Sequence, residues 1–277
     1  MREFDLVVIG AGAAGLSVTA VAAQLAVPVA LVERGEMGGD CLNFGCVPSK
    51  ALLAAAHHAA AIRAASRYGV TAGEPVADFS RTLDHVHHAI AEIAPNDSEA
   101  RFTALGATVI RGEARFTGAD TVAVDGETLK ARRIVIAAGA RAAVPPIPGL
   151  DAVPYFTNET LWRNRTRPRH LVVIGGGPIG LEMAFAHARL GAEVTVLEAA
   201  TMLGRDDPEL AEGALLALKD EGVALREGVR IARVEGVEGA LAAVLDAGEG
   251  REERIEGSHL LVAAGRRPNL DTLDLDR

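Results

Sequence analysis

Aromatic side chains are scarce in this chain, at 4% of its residues, and cysteines number two. So few cysteines exclude a disulfide-stapled secreted framework. No apolar run is long enough to span a bilayer. The start of the chain lacks the basic segment, long apolar stretch and small-residue cleavage site of a signal peptide. Phe4 to Gly10 (FDLVVIG) reads instead as a buried strand that begins almost at once, so a cytoplasmic protein is expected. There is no basic tract, and the formal charge is −9 with both signs spread along the chain. Nucleic acid is a poor partner for such a surface, because phosphate binding needs clustered cations.

What is present is a repeat. FDLVVIGAGAAGL from Phe4 to Leu16 resembles RHLVVIGGGPIGL from Arg169 to Leu181. Each is an apolar run that ends in G-x-G-x-x-G and continues into helix-like sequence. Each is followed by a second apolar run that ends in an acid, Val29–Glu33 and Val194–Glu198, and 23 positions separate first glycine from acid in both copies. Strand, glycine turn, helix, strand and acid is the context that turns a weak glycine pattern into a dinucleotide fingerprint. The first glycine permits the tight turn, the second lets a pyrophosphate approach the backbone, and the third lets the helix pack on the strand. The helix N-terminus then offers free N–H groups to phosphate, and the acid accepts from ribose hydroxyls.

The two halves share their later parts too. Ala107–Arg111 and Thr121–Val124 are β-prone, with a turn at Asp125-Gly126, and Val229–Val234 and Ala242–Leu245 correspond to them, with a loop at Asp246-Ala247-Gly248. Each half ends in a buried strand that leads to glycine, Ile134–Gly139 and Leu260–Gly265. Ser49–Arg67 and Thr82–Leu105 have helix-like patterns. The proline-rich stretch Val144–Gly149 cannot be helix and reads as a crossing linker. The fold class is therefore α/β, with two Rossmann-like domains in tandem, each with a parallel sheet, flanking helices and a β-meander. The expected division is 1–150 and 151–277.

Between the first acid and the first long helix lies GGDCLNFGCVPSK, which holds Cys41 and Cys46. Two thiols five positions apart can close a disulfide if the helix start is distorted, which Gly45 and Pro48 permit. A position near a helix N-terminus lowers a thiol pKa. A metal site needs further ligands, and the nearest histidines, His57 and His58, lie on the following helix. A redox pair is the favoured reading. His85, His87 and His88 read as a solvated helix face.

GGDCLNFGCVPSK and GGGPIGLE resemble the redox-disulfide and second-nucleotide signatures of the class I pyridine nucleotide–disulfide oxidoreductases. The resemblance covers the whole chain and sits nearest the mercuric reductase and dihydrolipoamide dehydrogenase branches. It implies that the first unit takes FAD, with Gly10, Gly12 and Gly15 under the pyrophosphate and Glu33 on the ribose. Ala114 would lie by the adenine. Ala138 and Gly139 fall in the family's A-T-G-S turn, where Ala138 replaces threonine and removes one hydroxyl contact. It implies that the second unit takes NAD(P)H through Gly175, Gly177, Gly180, Glu198 and Gly265, with Ile231 as a weaker candidate at the adenine. Glu198 favours NADH, because a carboxylate repels a 2′-phosphate, and Arg205 could soften that preference.

By the same resemblance Cys46 would contact the flavin and Cys41 would meet the substrate. Lys50 would sit near the flavin's reactive nitrogen with Glu182 as its partner. Electrons would pass from NAD(P)H through FAD to the Cys41–Cys46 disulfide, and on to a small-molecule disulfide or a metal ion. A flavin NADH oxidase or diaphorase, and an inactive nucleotide-binding fragment, remain alternative readings. The family is homodimeric. Its return segment to the FAD domain and its interface domain, with a His–Glu acid/base pair, would lie beyond Arg277.

Overall fold

The computed structural model describes residues 1–276. The chain forms two compact units, and neither is continuous in sequence. One comprises Met1–Pro48, His87–Arg141 and the segment from Arg267 onward; the other comprises Ser49–Val86 and Ala142–Arg266.

The first unit is built on one six-stranded sheet. Its order is Thr108–Arg111, Val29–Glu33, Arg2–Ile9, Glu127–Ile136, Thr121–Val124 and Ala114–Gly118. The first four strands are parallel and the last three antiparallel, so the long strand Glu127–Ile136 belongs to both the parallel sheet and the meander. Parallel strands buried on both faces read as continuous apolar runs. Accordingly, Val7, Ile9, Ala30 and Val32 join one core, while Val8, Val29 and Leu31 join another with Leu16 and Phe102. The Asp125-Gly126 turn has both residues at positive φ, 47° and 88°, as a two-residue hairpin requires.

The second unit separates the two motifs. A four-stranded parallel sheet has the order Ala224–Arg226, Glu193–Leu197, His170–Ile174 and His259–Val262. A three-stranded antiparallel sheet, Ile231–Val237, Ala240–Asp246 and Glu252–Gly257, stands apart from it. The break falls at Ser258, whose hydroxyl accepts from the Arg169 and His170 amides and donates to the His170 carbonyl. One apolar cluster joins both sheets through Val172, Ile174, Leu197, Leu241, Ala243, Leu245, Leu260 and Val262.

Three expectations need correction. A single cut after residue 150 does not describe the division. Residues 49–86 belong with the second half because their side chains pack there: Arg63 donates to the Arg189 carbonyl at 2.7 Å, the Phe79 ring lies 5.6 Å from His187, and Asp84 pairs with Arg165 at 2.5 Å. The helix expected over 82–105 is three pieces, Phe79–Ile93, Ala94–Asp97 and Glu99–Ala104. Pro95 cannot continue the ladder, and the Ser98 hydroxyl caps a new helix by accepting from the Arg101 amide. Finally, the return to the first unit starts within the chain. Leu273 is buried in that unit's core, and its carbonyl accepts from the Phe116 amide at 2.9 Å.

Candidate active site

Each glycine turn is shaped by the strand beside it. Gly10 and Gly175 have φ of 105° and 116°, and a Cβ on either would fall 2.3 Å from a carbonyl oxygen, of Ala137 and Ala263 respectively. Only glycine meets both conditions. Gly12 and Gly177 then cap the helices Ala13–Gln24 and Pro178–Arg189 without any side-chain hydrogen bond. The first N–H groups of both helices therefore have no acceptor at the cap, which is the arrangement an anion completes. Space is available for one: nothing lies within 4 Å of a Cβ built on Gly177, and only the Gly39 Cα lies that near at Gly12.

The two acids hold the same station. Glu33 accepts from the Ala11 amide at 2.5 Å and the Gly35 amide at 2.6 Å. Glu198 accepts from the Gly176 amide at 2.6 Å and the Ala200 amide at 2.9 Å. Each carboxylate braces the glycine turn and the loop behind it. A carboxylate has about four lone-pair sites, so acceptors remain for a ribose.

In the first unit, Gly10, Glu33, Ala114 and Ala138 line one pocket with Arg34, Gly112, Glu113, Asn269, Thr272 and Leu273. The last six were not expected. Arg34 donates to Glu113 at 2.9 Å and to the Thr272 hydroxyl at 3.3 Å. Hydrogen bonds from Thr272 and Arg34 hold the Glu113 carboxyl below its usual range. The Asn269 amide donates to the Ala138 carbonyl at 3.0 Å, and its backbone N–H to the Gly139 carbonyl at 3.0 Å. Asn269 thus supplies polar anchoring at the turn where threonine is missing. The only signal for it was the polar RRPN stretch after the last buried strand. In the second unit, Gly265 receives the Ala143 amide on its carbonyl at 2.9 Å. Ile231 opens its strand half-buried against the core. Val229, two residues earlier, is the residue whose amide reaches the Glu198 carbonyl, at 3.1 Å.

The cysteine segment docks on the first glycine turn. Gly38 donates to the Ala11 carbonyl at 2.9 Å and bridges Gly12. A Cβ on Gly39 would stand 2.5 Å from the Gly12 Cα. A short helix, Gly39–Asn43, carries Cys41; the Asn43 amide ties its start by donating to the Met37 and Gly39 carbonyls at 3.0 and 2.9 Å. Cys46 opens the helix Cys46–Ala64 and is exposed, while Cys41 is half-buried beside it. Burial first, then the hydrogen bond and charge of Cys46, push the Cys41 thiol up to about 11. A lowered pKa was the expectation from the helix N-terminus; for Cys41, desolvation and a neighbouring sulfur outweigh it.

In the second unit Lys50 donates to the Glu182 carboxylate. They come from the helices Cys46–Ala64 and Pro178–Arg189, 132 positions apart in sequence. The five clustered histidines stay exposed, and among the described residues no group of three or more His, Cys, Asp or Glu is placed to hold a metal ion. Among the described residues no helix is long and apolar enough to cross a membrane.

The family model of the pyridine nucleotide-disulphide oxidoreductases matches residues 4–277. The chain belongs to this family. It is 36% identical over 274 residues to a mercuric reductase of Lysinibacillus sphaericus, covering 99% of this chain and 50% of that one. A dihydrolipoyl dehydrogenase of Thermus scotoductus is 35% identical over 287 residues, covering 100% and 60%. Among solved structures, the HOCl-induced flavoprotein disulfide reductase RclA from Escherichia coli superposes with a TM-score of 0.83 at 28% identity, covering 99% of this chain and 59% of that one. The chain thus spans between half and three fifths of these relatives.

Proposed function

We propose that the chain forms the nucleotide-binding part of a cytoplasmic FAD-dependent NAD(P)H oxidoreductase whose electrons leave through Cys41 and Cys46. One observation carries this reading: the cysteine segment is hydrogen-bonded to the glycine turn of the first dinucleotide unit, at Gly38 and Ala11, and the second unit repeats that turn without cysteines. Gly10, Gly12, Gly15, Glu33, Ala114, Ala138 and Gly139 would hold FAD. Gly175, Gly177, Gly180, Glu198 and Gly265 would hold NAD(P)H, with Ile231 a peripheral contact. FAD bound there would supply the redox ring that couples oxidation of NAD(P)H to reduction of the cysteine pair.

The protein's own part is sulfur and proton chemistry. The Cys41–Cys46 disulfide takes up two electrons and two protons and becomes a dithiol. Once a base removes its proton, Cys41 attacks one sulfur of an oxidised small-molecule disulfide and releases one thiol. Cys46 then attacks Cys41 in the mixed disulfide, re-forms the internal bond and releases the second thiol. The same dithiol could instead ligate and reduce a soft metal ion. Lys50, held by Glu182, would place a cation where negative charge develops on the reduced ring.

A titration of reducing equivalents tests the relay. The FAD-loaded, oxidised chain should consume about two equivalents of NADH per flavin, one for FAD and one for the two-electron disulfide couple. Cys46→Ser should consume about one. Equal consumption by both would favour the diaphorase reading. Glu198 further leads to an expected preference for NADH; a higher kcat/KM with NADPH would remove that claim.

A further inference from the structure

The internal repeat extends to a position that the glycine motifs do not include. In the first unit Glu33 is paired in register with Arg111 on the neighbouring strand. In the second unit Leu197 is paired with Arg226, and the Glu198 amide donates to the Arg226 carbonyl at 2.8 Å. Glu227 therefore stands beside Glu198 as Arg111 stands beside Glu33. The two side chains carry opposite charge, yet both reach the loop that follows the acid. The Arg111 guanidinium donates to the Gly35 carbonyl, and Glu227 Oε1 accepts from the Met202 amide at 2.5 Å.

That loop is part of the second glycine turn. The Leu203 amide donates to the Gly176 carbonyl at 3.0 Å. The Met202 side chain is buried against Gly176, so closely that a Cβ there would meet Met202 Cγ at 2.5 Å. Leu203 holds φ of 51°, a left-handed conformation that a leucine adopts only when its surroundings enforce it. Gly228 and Val229 hold the same loop from behind, donating to the Ala200 and Glu198 carbonyls, both at 3.1 Å.

We propose that Glu227 is a positioning residue for the pyridine nucleotide: it latches the 201–204 loop onto the glycine turn, as Arg111 latches the corresponding loop of the first unit. This rests on the reading of the second unit as the coenzyme site. Removing the latch frees the Met202 amide, loosens Met202 from Gly176 and costs affinity without touching the cysteines.

The test uses the FAD-loaded full chain, so that only the second site is open, with ADP-ribose as the calorimetric probe. Glu227→Ala should weaken ADP-ribose about five- to tenfold, the worth of one hydrogen bond. Glu227→Gln keeps an acceptor for the Met202 amide and should stay within about twofold of wild type. Hydrogen exchange at Met202 and Leu203 should quicken in Glu227→Ala and not in Glu227→Gln. Unchanged affinity in Glu227→Ala, whether or not exchange quickens, overturns the proposal, as does a Glu227→Gln variant as weak as Glu227→Ala. If wild type itself takes up no ADP-ribose, the coenzyme reading falls and this proposal with it.

Discussion

Gly15→Ala is expected to strip the chain of FAD while leaving ADP-ribose binding intact, and Gly180→Ala to do the reverse. A Cβ on Gly15 would lie 1.8 Å from the Gly10 carbonyl oxygen and 3.0 Å from its carbon. At Gly180 the corresponding oxygen, of Gly175, is 2.1 Å away. No rotamer relieves these overlaps, because the obstacle is backbone and the added atom is the first of the side chain. The helix must lift from its strand, and its free N–H groups move away from the phosphate position. Overpacking of this kind costs on the order of 3 kcal/mol. If that cost falls on the bound state, affinity drops about a hundredfold. Flavin-fluorescence quenching reads the first site and calorimetry with ADP-ribose the second. Circular dichroism must show that each variant remains folded. A folded Gly15→Ala that keeps FAD, or loses ADP-ribose to the same degree, would overturn the assignment of one nucleotide to each unit.

The glycine turns were legible in the sequence because the contacts that shape them are local and written twice. Gly10, Glu33 and the strand between them belong to one short βαβ unit, as do Gly175 and Glu198, so spacing alone locates them. The juxtaposition of Lys50 with Glu182 needed family resemblance, since no local pattern links positions so far apart. The strand Glu252–Gly257 escaped notice for a different reason. Its charges hide the alternation, but in the fold they are paired: within its own sheet Arg233 pairs with Glu252 and Arg254 with Glu235, and from the parallel sheet Arg226 forms two bonds to Glu253 at 2.8 and 2.7 Å. Exposed ion pairs of this sort contribute little stability each, and they conceal an alternating strand. The assignment of residues 49–86 to the second unit is a tertiary fact as well. The helix Cys46–Ala64 is locally the same helix whichever unit it packs on, and only contacts such as Arg63 with Arg189 decide. For Cys41, sequence reasoning weighed the helix N-terminus and had no access to burial, the larger effect.

Acid should destabilise the second unit through His187, and more steeply than carboxylate titration alone would. His187 is fully buried on the helix Pro178–Arg189; its Nδ1 bonds the Met183 carbonyl at 2.8 Å, and its ring tilts against Phe79. That carbonyl makes Nδ1 the protonated nitrogen, and Nε2 is buried with no hydrogen-bond partner. Burial, reinforced by the charge of His259 and only partly offset by the Met183 carbonyl, depresses the pKa to about 4 from 6.5. The sign follows. Above about pH 6.5 neither folded nor unfolded chain is protonated at this ring, and it exerts no pH effect. As pH falls from about 6.5 to about 4, the unfolded chain takes the proton and the folded chain does not, so stability declines. A tenfold change in a protonation equilibrium is worth about 1.4 kcal/mol, so the loss between pH 7.5 and 4.5 is about 2 to 3 kcal/mol. His187→Leu removes the titrating group and the orphaned nitrogen together, leaving a side chain of similar bulk against Phe79. Urea melts at the two pH values should therefore show a smaller acid loss in the variant, by that amount, while carboxylates common to both proteins cancel in the difference. Equal acid losses in the two proteins would show that folded His187 takes up its proton as readily as the unfolded chain does, and would overturn the argument from burial. The helix at stake begins at the second glycine turn and carries Glu182, so coenzyme binding and the Lys50 contact should fail together with it on acidification.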